Sequence, residues 1–157
     1  MINNDVVRSV RYMLNVYDET LVSIIRLGGG DATIDDVRAY LERDDAPGFR
    51  ACPDRVMGAF LDGLILHRRG AAETTSPRPI ERVITNNTVL KKLRVAFELR
   101  EEHLVAIMAA AGFQVSRPEL SALFRNPAHH NYRACGDQFL RNFLKSLTAR
   151  LRDTPTA

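Results

Sequence analysis

Apolar positions recur at helical spacing in four successive segments, and the same four segments then appear a second time. The first segment carries Val6, Val7, Val10 and Leu14, and its counterpart carries Val89, Leu90, Leu93 and Phe97. Asn3-Asn4 and Asn86-Asn87 open these segments, and asparagine is a strong helix N-cap. The second segment begins at Asp18-Glu19 and Glu101-Glu102, where acidic side chains suit the positive end of a helix. It carries Leu21, Val22, Ile24 and Ile25, or Leu104, Val105, Ile107 and Met108, and stops at Gly28-Gly29-Gly30 or at Gly112. The third segment is short: Val37, Tyr40 and Leu41, then Leu120, Leu123 and Phe124. Thr33 with Asp36 forms a loose capping box before it, and Ser116 with Glu119 the full form. Pro118 falls in the first turn, where proline is tolerated. The fourth segment opens at Asp54 or Asp137. Its stripe is Val56, Met57, Phe60, Leu61, Leu64 and Ile65, or Phe139, Leu140, Phe143, Leu144, Leu147 and Leu151. No stretch alternates with the two-residue period of a strand.

The two series are copies at an offset of 83 residues. Pairing residues 3–69 with residues 86–152, without gaps, gives 18 identities in 67 pairs. The densest match is aromatic-Arg-Ala-Cys-x-Asp followed by an apolar helix: GFRACPDRVMGAFL and NYRACGDQFLRNFL. The expected fold is all-α, two tandem four-helix repeats with helix-turn-helix-like segments and internal pseudo-two-fold symmetry. The expected boundaries are 1–70 for the first repeat, 71–83 for a linker, 84–152 for the second repeat and 153–157 for a frayed tail. The linker contains AAETTSPRP, a composition typical of exposed connections. Ile80, Val83 and Ile84 are expected to dock before the second copy. A repeat of this size is marginal alone, so the halves should pack together or the whole should dimerise.

Charge distinguishes the copies. The net charge of +3 divides unevenly. Residues 1–80 hold 10 Lys and Arg against 12 Asp and Glu, giving −2; residues 81–157 hold 12 against 7, giving +5. This asymmetry suggests different work for the two copies. Apolar content of 45% and charged content of 26% are those of a soluble globular protein. No apolar run approaches the length of a membrane span, and the N-terminal residues lack a signal-peptide pattern, so no membrane partner and a cytoplasmic location are expected. Cys52 and Cys135 occupy equivalent positions and read as small buried hydrophobes rather than as a disulfide or reactive thiols.

The strings NNTVLKKLRVAFELREEHLVAIMAAAGF, SRPELSALFRNPAHHNYRACGDQFLRNFL and FRACPDRVMGAFLDGLILHRRG resemble the YehS-like family, small bacterial proteins of unknown function that carry this motif twice. The resemblance spans nearly the whole chain. It implies an all-helical bacterial cytosolic protein and brings with it no activity, ligand or catalytic residue.

The chain has no phosphate loop, no dinucleotide glycine motif, and no Ser/His/Asp or paired-carboxylate signature, so no enzyme and no cofactor are expected. His129, His130 and Cys135 lack a recognised metal-ligand spacing. Residues 101–125 have the spacing of a helix-turn-helix, whose second helix enters the major groove in DNA-binding proteins. On this reading the second repeat is a regulatory DNA- or RNA-binding surface, with Arg117, Arg125, Arg141 and Lys145 as its phosphate contacts. Arg141 and Lys145 stand one helical turn apart. Tyr132 and Phe49 read as core anchors of their loops. Arg8 with Arg11, and Lys91 with Arg94, read as solvated basic faces. Arg50 with Asp54, and Arg133 with Asp137, are expected to form ion pairs that lock the loop onto the following helix, and with Cys52 and Cys135 they complete the structural motif. The alternative reading is a protein–protein interaction or homodimerisation module.

Overall fold

The computed structural model describes residues 1–70 and 83–153. These hold eight helices and no strand. The chain divides after Ile84 into two compact units. Most of the expected linker and the last four residues lie outside the described residues, Ile80 among them. Val83 does not dock; it is exposed. Ile84 is half-buried, and its N–H donates to the Asp54 carboxylate at 3.2 Å.

The first unit contains α1 (Asn3–Leu14), α2 (Asp18–Leu27), α3 (Ile34–Leu41) and α4 (Asp54–Arg69). The second contains α5 (Asn86–Ala96), α6 (Glu101–Ala110), α7 (Arg117–Phe124) and α8 (Asp137–Asp153). Each core is built from the apolar stripes of its four helices. Phe60 of α4 and Phe143 of α8, equivalent in the repeat, are both fully enclosed, and removing such rings from water contributes about 1.5–3 kcal/mol each. Around them lie Ile24, Ile25 and Leu61 in one unit, and Ile107, Met108 and Leu144 in the other.

The helix starts differ from the pattern-based expectation. The N-cap of α1 is Ile2 and that of α5 is Thr85, so the asparagine pairs are already inside the first turn. Thr85 caps by accepting the Thr88 N–H at 3.2 Å. The capping boxes also reverse. Thr33 and Asp36 make the complete reciprocal pair, at 3.1 and 2.9 Å. Ser116 accepts from the Glu119 N–H at 3.2 Å, but its hydroxyl donates to the Glu119 carboxylate at 3.0 Å, which turns that carboxylate from the backbone. Helices α2 and α6 end as expected, with Gly29 and Gly112 at φ of 89°, a left-handed conformation that glycine adopts without Cβ strain.

Within each unit the long fourth helix packs against the second, and the two units solve this packing differently. In the first, α2 and α4 cross on glycines: a Cβ on Gly28 would stand 1.8 Å from the Ala59 carbonyl oxygen, and one on Gly63 the same distance from that of Ile24. In the second unit the matching positions are Ala111, Asn142 and Ser146. Helices α6 and α8 accordingly lie farther apart than α2 and α4. The Ser146 hydroxyl donates at 2.6 Å to the Ile107 carbonyl, the equivalent of the carbonyl that Gly63 lets approach.

Candidate functional site

The loop entering each fourth helix is fixed by side chains from the first turn of the first helix. The Asn4 amide donates to the carbonyls of Tyr40 and Arg50, both at 2.9 Å, and accepts the Cys52 N–H at 2.9 Å. Asn87 repeats this with Leu123, Arg133 and Cys135 at the same distances. Asn3 donates to the Cys52 carbonyl at 3.0 Å and the Asp54 carboxylate at 2.8 Å, and Asn86 does so to Cys135 and Asp137 at 3.0 and 2.7 Å. Backbone bonds from Arg50 to Ala39 and from Arg133 to Ala122 close the same loops. The asparagines are thus loop clamps rather than helix caps. A primary amide suits the role because it offers two donors and an acceptor from one planar group.

The expected Arg–Asp locks do not form. Asp54 and Asp137 are held by asparagine. Arg50 instead pairs with Asp36 at 2.6 Å. The hydrogen bonds from Thr33, and the Arg50 guanidinium, hold the Asp36 carboxyl below its ordinary value. In the second unit Glu119 takes the place of Asp36 and is engaged with Ser116, which leaves Arg133 without an acid among the described residues. Cys52 and Cys135 are free thiols and buried. Burial, then the neighbouring aspartate, pushes their thiols up to about 12 and about 11, which makes them poor nucleophiles. Cys135 is thereby enclosed while His129 and His130 stack on each other, centroids 4.6 Å apart, on the exposed loop.

The clamped loops carry opposite chemistry. In the first unit nearly every basic group around the loop has an acid. Arg8 meets Asp5 and Asp44 at 3.1 and 2.7 Å, Arg11 meets Asp18 at 3.1 Å, and Arg43 meets Asp45 at 3.3 Å. The basic pairs on the first helices are therefore not simply solvated. Arg94 likewise lies over the Phe124 ring at 4.6 Å. Phe49 and Tyr132 are half-buried rather than core anchors. In the second unit Arg125, Arg133, Arg141 and Lys145 are exposed. Among the described residues none of these four has a carboxylate within ion-pair distance. Arg117 stands 4.0 Å from Glu101, at the edge of an interaction.

Arg125 faces His129 across 3.4 Å. The His129 Nδ1 accepts the Asn131 N–H at 3.0 Å, which assigns the proton of the neutral ring to Nε2. Two donors then confront each other, an arrangement that an anion between them would relieve. Of the four candidate cations, Arg141 and Lys145 share a face of α8, whereas Arg117 is the first residue of α7 and Arg125 its C-cap. No hydrogen bond or ion pair among the described residues joins the α7 pair to the α8 pair. Six residues, 111–116, separate α6 from α7, more than the three or four of a DNA-binding helix-turn-helix.

The wider spacing of α6 and α8 leaves a cleft of about 470 Å³. Its walls include Ala106, Ala110 and Ala149, with Lys145, Arg150 and Asp153 toward α8's end. Asn142 lies on the α8 side, and its Nδ2 is shut off from solvent with no acceptor. An unmade bond of this kind costs about 1–3 kcal/mol. Neither Asn142 nor Ser146 stands out in the hydrophobic pattern. The signal that finds them is the pairing at offset 83, where Ala59 becomes Asn142 and Gly63 becomes Ser146.

Comparison with known proteins agrees with the duplicated architecture. A family model described as a protein of unknown function (DUF1456) matches residues 3–70 and again residues 86–153. The chain is 47% identical over 150 residues to the uncharacterized protein YehS of Escherichia coli (strain K12), an alignment covering 96% of each. No solved structure matches the chain. Two matches to the same model, each spanning one clamped four-helix unit, show that the chain belongs to the DUF1456 family of proteins of unknown function.

Proposed function

We propose that the protein is a non-enzymatic binding module whose second unit holds nucleic acid through its phosphates. The observation that supports this is the contrast between the two clamped loops. The first loop neutralises its arginines with its own acids; the second presents Arg125 and Arg133 without any among the described residues. Exposed cations on a rigid frame favour a polyanion, because each phosphate contact releases condensed counterions. The donor-to-donor approach of Arg125 and His129 supports an anion at that loop in particular. Arg141 and Lys145 extend the positive surface along α8.

The test is binding of short single- and double-stranded DNA and RNA across a salt series. Arg125→Glu with Lys145→Glu should weaken binding and flatten the slope of log affinity against log salt by roughly 0.7–0.9 per lost contact. Arg26→Glu with Arg55→Glu, exposed positions in the first unit, is the control and should change little. Equal losses in both variants would reduce the effect to diffuse charge attraction. Absence of binding at low salt would favour the protein-partner or homodimer reading. That second reading draws on the exposed apolar side chains Tyr17 and Leu27, 79% and 47% accessible. Among the described residues no helix is long and apolar enough to cross a membrane.

A further inference from the structure

We propose that the cleft between α6 and α8 is a binding site for a small organic monoanion with an apolar body, of which a medium-chain carboxylate is the simplest member. The cleft shares Lys145 with the proposed phosphate surface but none of its other cations, and it does not require phosphate recognition.

The cleft belongs to the second unit because its helix seam carries different residues. In the first unit the seam is shut by Gly28, Ala59 and Gly63, whose backbones approach too closely for any larger side chain. Ala111, Asn142 and Ser146 hold the seam of the second unit open. Two of these three are polar, at positions facing a helix–helix interface. Ser146 is satisfied, since its hydroxyl proton is committed to the Ile107 carbonyl. Asn142 is not: its Nδ2 is enclosed and has no acceptor. A buried amide donor is ordinarily paired, and among the described residues the Asn142 donor has no protein acceptor. Asn142 is itself one of the residues that line the cleft, and the last side-chain torsion of asparagine is broad.

The remaining lining specifies the rest of the ligand. The methyl groups of Ala106, Ala110 and Ala149 supply an apolar wall without hydrogen-bonding groups of its own. Lys145 contributes an ammonium that has no acid partner among the described residues. Arg150 and Asp153, of opposite charge, stand at the end of the cleft, so the Lys145 ammonium is the charge left for the ligand. One negative charge on the ligand balances it, and Asp153 disfavours polyanions. A cleft of about 470 Å³ is in the range of small-molecule sites. A carboxylate head between Lys145 and Asn142, with its chain along the alanines, uses each of these features.

The full chain, labelled with nitrogen-15, is titrated with octanoate, and octylammonium and octanol serve as controls. Saturable shifts centred on residues 106–111 and 142–150, absent with both controls, are expected. Lys145→Gln, an exposed position, should weaken octanoate binding roughly tenfold or more, as expected for loss of a charged hydrogen-bond partner. Ala111→Gly, Asn142→Ala and Ser146→Gly together restore the residues of the closed seam and should abolish binding. If that triple variant fails to fold, the Lys145→Gln result decides. The proposal is overturned if octanoate does not saturate, if its shifts centre elsewhere, if either control binds as well, or if Lys145→Gln leaves the affinity unchanged.

Discussion

Asn4 and Cys52 lie 48 residues apart and are joined by a 2.9 Å hydrogen bond from the Cys52 N–H to the Asn4 side-chain oxygen. Asn4 is 1% exposed, and its amide also holds two carbonyls of the chain that leads from α3 to Cys52. Asn4→Ala strands an N–H and two carbonyls at once. The expected loss is about 3 kcal/mol or more, since each unmade buried bond costs roughly 1–3. Asn87→Ala should cost less, because its network is more exposed. Urea denaturation of both variants measures this; a loss under about 1 kcal/mol for Asn4→Ala would contradict the clamp.

The glycine seam gives an asymmetric expectation. Gly63→Ser places a side chain where a Cβ already stands 1.8 Å from the Ile24 carbonyl oxygen, and should destabilise the first unit by about 1–3 kcal/mol or more. The opposite exchange in the second unit, Ser146→Gly, meets no clash and should cost only about 1 kcal/mol, from the lost bond to Ile107 and a glycine inside the helix. Comparable losses at the two positions, in thermal or chemical denaturation, would refute the difference in helix spacing.

Phe60→Ala and Phe143→Ala should each cost about 3–5 kcal/mol, because both rings are fully enclosed. An unchanged melting temperature for either variant would remove that ring from the core.

The two thiols set a pH dependence. Their ordinary value is 9.0, and burial, then the adjacent aspartate, raises Cys52 to about 12 and Cys135 to about 11. Folding therefore favours the protonated thiols. Their contribution to stability is fully present below about pH 9 and is lost as pH rises through the folded values. Thiolate absorbance should appear at Cys135 before Cys52. At pH 8 neither thiol should react with a disulfide reagent until urea unfolds the chain. Rapid labelling of the native protein would show that the thiols are not enclosed.

Local patterning determined much of this protein. Helical periodicity in Val6, Val10 and Leu14, or in Leu140, Phe143 and Leu147, specifies buried helix faces because spacing along one helix fixes which side chains share a side. The 83-residue offset specified two equivalent units, and the enclosed Phe60 and Phe143 show equivalent packing in both. Tertiary structure decided what the polar residues do. Asn4 has the composition of a cap, but its partners are contributed by α3 and the loop beyond it. Arg50 chose Asp36 over Asp54 because Asn3 occupies the latter. The cleft beside Asn142 arises from the separation of α6 and α8, a quantity set jointly by side chains on two helices. Hydrophobic burial depends on the face of a single helix and so can be read from one segment. A hydrogen bond or a gap depends on two segments meeting, and only folding brings them together.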